Sequence, residues 1–485
     1  MSEEQAQQSL SRRDFVKVAA SAAMVAGVGA KGAFAADLPA PSNRPPARKP
    51  NVVLYVADEF RWDFISAYGL NPTVKTPNLD KVFQRGVAFT GMVTNQPLCS
   101  PSRACMVTGR YATETGVWVL QRQVRTDLPT LATVLRSNGY TTNFIGKWHL
   151  SVGPGPVKPA DRLGFVDLWE GSNELEQTTH PYYGTIWNTY GQPITWKDQY
   201  RVDFLTDLAV RFLKKPQEKP FLLFLSQLEP HQQNDANAMV APKGYAKRFQ
   251  NPYVPSDLLH LPGDWQQQLP NYYGDIQKID ESVGVILQTL EEQKLLDNTI
   301  FLFTSDHGCH FRTRNGEYKR SPHDSSIRVP FLMQGPGLDK SERFEEIAGN
   351  IDLTPTLLDA AGVSVPSSMK GRSLMPLVRD PEARKQWDNT QLIQISGSMV
   401  GRALRNKQWT YCVADPSLNG GEIESSMHYQ EYQMYNDYGD PAQLVNLAGR
   451  VPDRKEAARL REQLIDLIVK SGEPAPTITP AKLYA

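Results

Sequence analysis

Three continuous apolar runs constrain the fold of this 485-residue chain most strongly. They are "NVVLYVADE" at residues 51–59, "FLLFLSQ" at 221–227 and "TIFLFTSDHG" at 299–308. Such runs favour strands buried on both faces of a parallel sheet, because neither face meets solvent and calls for alternating polar residues. Helical patterns lie between them, as in "DIQKIDESVGVILQTLEEQ" (275–293), whose apolar residues share one stripe. The alternation predicts an α/β fold with a large, mostly parallel sheet between helices.

Beyond residue 385 the pattern changes to short apolar pieces separated by polar stretches. "TQLIQIS" and "QWTYCVA" read as short strands, and a final helix is predicted from about Asp453 to Ser471. We therefore expect a main domain at residues 51–384 and a smaller α+β subdomain at residues 385–485.

The first 35 residues have the features of an export signal. "SRRDFVK" (11–17) precedes a mildly apolar run that ends in Ala33-Phe34-Ala35, a small-residue cleavage site. Paired arginines in this context are typical of twin-arginine signals, and the alternative is the start of a short basic helix. We expect residues 1–35 to be removed, residues 36–50 to form a Pro-rich linker, and the mature protein to be periplasmic or secreted without membrane attachment. The twin-arginine export machinery would then be a partner.

Overall charge points to no particular class of macromolecular partner. Lysine plus arginine and aspartate plus glutamate number 52 each, so nothing global favours nucleic acid or a membrane surface. An acidic ligand would have to be held by local charges. The four cysteines are too few for a disulfide scaffold in a chain of this length.

Polar residues follow the predicted strands directly. Asp58 and Glu59 end the first run, Asp306 and His307 end the third, and His231 lies just beyond the second. Ligands of open α/β sheets bind at the carboxyl ends of strands, so these side chains are predicted to converge. Three converging carboxylates would repel one another unless a divalent cation lay between them. Oxygen ligands suit Ca²⁺, and the nitrogen of His307 leaves Mn²⁺ or another transition metal open.

The stretch "NQPLCSPSRACMVTGR" (95–110) places Cys99 beside a predicted helix start. Ser100 is expected to cap this helix and Pro101 to occupy its first turn. The helix dipole and Arg103 would favour negative charge at Cys99. A buried structural cysteine and a thiolate nucleophile both remain open. A disulfide to Cys105 is disfavoured, because six helical residues rise roughly 9 Å and a bridge needs Cα atoms within about 7 Å.

The motifs resemble those of one family. "CSPSR" (99–103) resembles the sulfatase signature C-x-P-x-R, whose cysteine is converted to formylglycine. "GYTTNFIGKWHL" (139–150) resembles the second sulfatase signature, and "PFLLFLSQLEPH" and "SDHG…EYKRSPHDSSIRVP" resemble further blocks. "IDLTPTLLDAAGV", "GRSLMPL" and "YQMYNDYGDPAQLVNLA" are similar to later ones. The chain is thus similar to formylglycine-dependent type I sulfatases of the alkaline phosphatase-like superfamily.

This resemblance implies a catalytic domain at 51–384 and a mechanism. A formylglycine-generating enzyme would convert Cys99 to 3-oxoalanine, and the hydrate of this aldehyde would attack the sulfur of a sulfate ester. Arg103, Lys147 and Lys319 would neutralise the sulfuryl oxygens. His231, with Lys319, would protonate the departing alcohol, and His149 would take the proton that lets sulfate leave. The implied metal ligands are Asp58, Glu59, the converted Cys99, Asp306 and His307. His310 and His323 are expected to be substrate contacts.

Two departures from the family pattern keep alternatives open. Glu59 replaces a common second aspartate and His307 a common asparagine, as in relatives that act on phosphonate and phosphate esters. The leading hypothesis is an exported sulfuric ester hydrolase acting on a sulfated carbohydrate or an aryl sulfate. The alternatives are a phosphonate monoester or phosphodiester hydrolase and a non-catalytic sulfated-glycan-binding protein. Five aromatic residues could stack on a sugar or lie in the core: Trp169, Tyr182, Tyr183, Trp187 and Trp196.

Overall fold

The computed structural model describes residues 48–484; the predicted signal and nearly all of the linker lie outside this range. Within it, eighteen strands and thirteen α-helices form an α/β architecture. The strands are β1 (Asn51–Ala57), β2 (Gly86–Phe89), β3 (Met92–Val93), β4 (Thr141–Lys147), β5 (Leu168–Ser172), β6 (Thr179–His180), β7 (Tyr183–Asn188), β8 (Pro193–Lys197), β9 (Phe221–Ser226), β10 (Thr299–Ser305), β11 (Phe331–Gln334), β12 (Glu342–Phe344), β13 (Ala348–Gly349), β14 (Thr390–Ile395), β15 (Val400–Asn406), β16 (Trp409–Asp415), β17 (His428–Asn436) and β18 (Thr477–Thr479).

The helices lie between these strands and after them. They are α1 (Pro77–Gln84), α2 (Cys99–Thr108), α3 (Ala112–Thr115), α4 (Leu131–Ser137), α5 (Leu175–Thr178), α6 (Arg201–Leu213), α7 (Ser256–Leu259), α8 (Trp265–Glu292), α9 (Asp324–Ile327), α10 (Leu353–Ala360), α11 (Met375–Arg379), α12 (Pro381–Lys385) and α13 (Arg454–Lys470).

The large sheet has five parallel strands at its centre, in the order β10-β1-β9-β4-β5. Antiparallel pairings at both sides extend it, through β11 next to β10 and β7 next to β5. Because neighbouring parallel strands end at the same edge, the residues after all five strands share one rim of the sheet. The predicted fold class, an α/β sheet layered between helices, is confirmed.

Strand β1 shows why the apolar runs are continuous. Val53 and Tyr55 pack into an apolar cluster on one face of the sheet, whereas Val52 and Leu54 pack into a separate cluster on the other. Side chains of a strand alternate between faces, so both alternate sets must be apolar when helices cover both sides. The apolar stripe expected on α8 is buried against the first cluster.

A second sheet, β14-β15-β16-β17-β18, carries the C-terminal part of the chain, with α13 packed on it. The strands expected in "TQLIQIS" and "QWTYCVA" and the final helix are present; the exact domain boundaries stay predictions. Arg314 donates to the carbonyls of Ala442 and Gln443, and Arg405 pairs with Asp324, so β15 and the connection after β17 both contact the segment that follows β10. None of the helices within residues 48–484 has the length and apolar character that crossing a bilayer requires.

Candidate active site

The five central strands each deliver polar side chains to the shared rim. Asp58 follows β1, Asp306 follows β10, His231 lies beyond β9, Lys147 ends β4, and Glu176 lies shortly after β5. The first four were predicted from the sequence, and the structure brings them together. Glu176 was not, because "LWEGS" of β5 is short and mixed in polarity and "NELEQ" matches no motif.

Asp58 and Asp306 each present their two carboxylate oxygens to different partners. Their Oδ1 atoms turn toward His307, whose Nε2 lies 3.7 Å from Oδ1 of Asp58 and 3.7 Å from Oδ1 of Asp306. Their Oδ2 atoms are each 3.0 Å from the Arg103 guanidinium. One oxygen of each carboxylate is thereby held, and the other points to a common position.

Arg103 is buried and lies outside the cavity lining. It is 1 % exposed, and besides the two aspartates it donates to the Lys147 carbonyl at 3.0 Å and to Ser226 Oγ at 2.7 Å. All of these partners belong to the protein. Arg103 therefore orients the aspartates, and direct neutralisation of sulfuryl oxygens by Arg103 stays a prediction.

Cys99 is the first residue of α2, with Leu98 and not Ser100 at the cap position. Its Sγ lies 3.3 Å from His307 Nε2 and 3.1 Å from Lys319 Nζ. Burial alone would raise the pKa of the thiol, but the charges of Lys147, Lys319 and His307 outweigh burial and hold that pKa well below its ordinary value. The surroundings of position 99 thus stabilise an anion.

Lys319 connects Cys99 to a second group of side chains. Its Nζ lies 2.5 Å from Glu59 Oε1 and 3.0 Å from His231 Nε2. His231 Nδ1 is 2.6 Å from the Gln232 carbonyl, which fixes the ring with Nδ1–H as the donor. Glu59 therefore lies on the Lys319 side of the site, grouped with Asp58 and His231 and not with Asp306 and His307.

Glu176 lies on the opposite side of the site, next to Lys147 and His149. Its Oε1 is 3.1 Å from Lys147 Nζ and 3.6 Å from His149 Nδ1. Lys147 Nζ is also 2.7 Å from Asp58 Oδ2, so this ammonium group bridges two carboxylates. Lys147 is fully buried and, like Arg103, lies behind the cavity wall.

Two of these residues have unusual backbone geometry. Glu59 has φ of 66° and His149 has φ of 59°, both in the left-handed region. Residues with a Cβ adopt this region at a cost and need surrounding contacts to hold them there. The Glu59 N–H faces Asp306 Oδ1 at 3.3 Å, and the His149 N–H donates to the Asn173 carbonyl at 2.7 Å. The site therefore maintains strained backbone where functional side chains are presented.

A cavity of about 180 Å³ opens onto these groups. Its wall includes Cys99, His149, His231 and Lys319, together with Glu176. Gln232, Asn234, Arg312 and Arg320 line its outer part. Arg312 and Arg320 give this part of the lining positive charge, which Asp264, 3.6 Å from Arg312, and Glu317, 2.9 Å from Arg320, partly offset.

The two residues expected to contact substrate are His310 and His323, and their contact with substrate stays a prediction. Neither His310 nor His323 is among the described residues that line the cavity. His310 Nε2 contacts the Lys319 carbonyl at 3.0 Å, and His323 lies between Ser321 Oγ and Tyr435 OH, at 3.1 Å from each. Both side chains are buried and bonded within the protein. They are close to Lys319 in sequence but do not line the cavity.

The aromatic residues of 169–200 also lie away from the cavity wall. Trp169 is buried and stacks on Phe144 at 4.6 Å, and Trp196 stacks on Phe204 at 4.1 Å. Tyr183 is 53 % exposed. The cavity lining resolved here includes none of the five. Trp169 is therefore a core residue, and stacking of a sugar on the other four stays a prediction.

The donor set fits a divalent cation. Ligand atoms of Asp58, Cys99, Asp306 and His307 all lie within 4.8 Å of one another. Oxygen ligands at about 2.3–2.6 Å from a Ca²⁺ ion are themselves roughly 3–4 Å apart, as the Oδ1 and Nε2 atoms are here. Without such a charge, Asp306 is disfavoured as an anion, since burial and the neighbouring Asp58 both raise its pKa.

Solved structures share this architecture. A crystal structure of a candidate sulfatase from Bacteroides fragilis matches with a TM-score of 0.75, covering 89 % of this chain and 98 % of that one at 23 % identity. This likeness shows that the chain has the alkaline phosphatase-like fold of solved sulfatase structures.

The family follows from the sequence comparisons. The family model described as Sulfatase matches residues 50–363, and the model of the C-terminal region of N-sulphoglucosamine sulphohydrolase matches residues 316–470. An ulvan-active sulfatase of Formosa agariphila is 28 % identical over 83 % of this chain and 78 % of its own length. An N-acetylglucosamine-6-O-sulfatase of Bacteroides thetaiotaomicron is 25 % identical over 87 % and 86 %. The chain belongs to the sulfatase family, and the enzyme is a sulfuric ester hydrolase.

Proposed function

We propose that this enzyme removes sulfate from a sulfated carbohydrate, using a formylglycine at position 99 and a divalent cation. The observation that carries the proposal is the position of Cys99 Sγ. It lies on the cavity wall within 3.3 Å of His307 and 3.1 Å of Lys319, where conversion would place an oxygen. An oxygen nucleophile there would have positive charge on two sides.

Asp58, Asp306 and His307 would hold the cation, and Ca²⁺ or Mn²⁺ fits this mixed donor set. When present, formylglycine would supply, as its hydrate, the hydroxyl that attacks sulfur, and the cation would polarise the sulfuryl oxygens. Arg103 would keep both aspartates oriented throughout. Glu59 as a further ligand stays a prediction.

The side chains on the cavity wall would handle substrate charge and protons. Lys319 is placed to neutralise a sulfuryl oxygen, because its Nζ contacts both Cys99 and His231. His231, whose Nδ1–H is committed to the Gln232 carbonyl, keeps Nε2 for proton transfer to the departing alcohol oxygen. His149, on the other side of Cys99, would accept the proton whose removal lets sulfate leave.

The substrate class is proposed from the relatives and the cavity together. Relatives similar along most of the chain are named for ulvan and for N-acetylglucosamine 6-O-sulfate. The cavity of about 180 Å³ has room for little beyond the sulfate ester and the group that carries it. Arg312 and Arg320 at its mouth suit a sugar with further negative charge.

Two measurements test this proposal. Mass spectrometry of the peptide around Cys99 should show a loss of about 18 Da relative to cysteine, as conversion to the aldehyde requires. A panel of sulfated mono- and oligosaccharides beside aryl sulfates should give higher kcat/KM for a carbohydrate. An unaltered thiol in active protein would refute the formylglycine proposal, and aryl sulfates as the only substrates would refute the carbohydrate one.

Hydrolysis of phosphonate monoesters or phosphodiesters is the second candidate. Glu59 lies against Lys319 and reduces the net positive charge at the cavity wall, which suits singly charged esters. Sulfate esters, phosphonate monoesters and phosphodiesters all share this charge. Paired rates on an aryl sulfate and an aryl phosphonate with the same leaving group would rank the two activities.

Export through the twin-arginine pathway is proposed from residues 11–35 alone. Because that pathway carries folded proteins, a formylglycine-generating enzyme would act on Cys99 before export. Replacing Arg12 and Arg13 by lysine should leave the protein in the cytoplasm, as cell fractionation would show. Unchanged export of this double variant would contradict the proposal.

A further inference from the structure

We infer that Glu176 is a positioning residue that holds His149 and Lys147 in their working orientation. The inference rests on the proposed function, in which His149 acts after the sulfuryl group has been transferred. Glu176 touches no atom of Cys99 at hydrogen-bonding distance within the described chain, so it would act through its two neighbours. Nothing in the sequence motifs marks it, and only the fold brings it to the site.

The local structure fixes where Glu176 lies. Strand β5 runs close against β4, since a Cβ on Gly171 would lie 2.5 Å from the Gly146 carbonyl oxygen. At the ends of these strands the Trp148 N–H donates to the Ser172 carbonyl, and the His149 N–H donates to the Asn173 carbonyl. The backbone carrying His149 is therefore joined directly to the backbone that leads into α5. Glu176, in the first turn of α5, comes to lie beside the His149 ring.

The carboxylate is buried and charged. Glu176 is 8 % exposed; burial would raise its pKa, but Lys147, with His149 and His231, outweighs burial and lowers that pKa to about 2. Its Oε1 faces Lys147 at 3.1 Å and His149 Nδ1 at 3.6 Å. Among the described residues, Glu176 Oε2 and His149 Nδ1 are buried without a hydrogen-bond partner. A movement of about half an ångström would join carboxylate and ring in a hydrogen bond.

This arrangement determines which ring nitrogen faces the reaction. A carboxylate next to Nδ1 favours the tautomer that carries its proton there, which leaves Nε2 as the acceptor. The contact also restrains the ring, whose backbone is already in the left-handed region. Lys147 also pairs with the carboxylate of Asp58 at 2.7 Å and would keep this partner without Glu176. His149, by contrast, contacts no carboxylate other than that of Glu176 in the described chain. Loss of the Glu176 charge should therefore affect His149 more than Lys147.

The test compares Glu176→Gln with Glu174→Gln. Glu174 is a matched control, because it lies two residues away and is 6 % exposed. Its carboxylate accepts a hydrogen bond from Gln121 at 2.5 Å and takes no part in the contact between Glu176 and His149. For Glu176→Gln we expect kcat to fall about tenfold or more while kcat/KM changes less than about threefold, since kcat/KM reports only the steps before release. The kcat values for two aryl sulfates with different leaving groups should also converge. Glu174→Gln should behave as the wild type.

Two further measurements separate positioning from support of the fold. In a His149→Ala background, Glu176→Gln should add less than about a threefold loss, because both substitutions then remove the same interaction. Crystal structures should show the His149 ring rotated in Glu176→Gln and unchanged in Glu174→Gln, a readout that needs no turnover. Additive losses in the double variant, or a fall in kcat/KM as large as that in kcat, would overturn the inference. Absence of sulfate release by the wild type would instead refute the proposed function.

Discussion

The site has an enclosed side and an open side, and they are built differently. On the enclosed side Asp58, Asp306 and His307 are fully buried, and Arg103 engages one oxygen of each aspartate. On the open side His149 and Lys319 reach the cavity with 4 % and 7 % exposure. The enclosed side is set by neighbouring strands β1 and β10, whereas the open side is completed by segments beyond the strands. The ends of two strands thus carry the proposed cation ligands, and loops present the groups that are proposed to meet substrate.

Substitution of Cys99, which lies between the two sides, should have the largest effect. Cys99→Ala should lower kcat about a thousandfold or more, because the methyl group of alanine supplies no nucleophile and cannot be converted to the aldehyde. Cys105→Ala is the matched control in the same helix. Its buried thiol has a pKa raised by burial and lies outside the cavity, so activity should persist at a stability cost of about 1 kcal/mol. Steady-state rates and thermal unfolding would check both, and near-wild-type turnover by Cys99→Ala would contradict the assignment.

The enclosed side is tested next by Asp306→Asn. We expect loss of bound metal and a fall in kcat/KM of about a hundredfold, because the variant removes an anionic ligand and leaves Arg103 with one aspartate. Metal analysis and reactivation with Ca²⁺ or Mn²⁺ would measure this. Asp280→Asn is the control, since this buried carboxylate accepts from the Leu79 N–H at 2.8 Å and belongs to the packing of α1 on α8. It should lower stability and keep the metal; equal metal loss in both variants would contradict the cation site.

How far the sequence predicts each side follows from the same difference. The acids after β1 and β10 were predicted because the end of a continuous apolar strand is visible in the sequence, and the proposed metal ligands follow it immediately. Glu176 was missed because β5 is short, and its contact with Lys147 depends on which strand pairs with β4. His323 was predicted to contact substrate because it is close in sequence to Lys319, yet it lies outside the cavity lining, and closeness in sequence does not show which way a loop turns. Pairing and loop direction depend on the whole fold and have no local signal.

The open side is tested by His231→Ala with two substrates. A general acid matters most when the leaving alcohol is a poor one, and such catalysis contributes about 10²–10⁴-fold. We expect kcat/KM to fall about a hundredfold for a sugar sulfate and less than about tenfold for an aryl sulfate with an acidic phenol. The two substrates serve as each other's control within one variant. An equal loss for both would show that His231 does not act on the leaving group.

The smallest effect is expected for His323→Gln, which lies outside both sides. His323 contacts Ser321 and Tyr435, so the variant should keep kcat/KM within about threefold and lose about 1–2 kcal/mol of stability. Burial, followed by the charges of Arg314 and His310, holds the pKa of His323 well below its ordinary value. His323 therefore binds a proton near pH 6.5 in the unfolded chain but stays neutral in the folded protein at that pH. Acidification below this pH destabilises the wild type.

The glutamine variant lacks this proton uptake, so its stability deficit should shrink as the pH falls below about 6.5. Denaturant unfolding of both proteins at several pH values would measure the difference, and subtraction removes the titrations that they share. A constant deficit would mean that His323 accepts the proton in the folded state. A large loss of kcat/KM at unchanged stability would place His323 at the substrate and make the loop after β10 part of the open side.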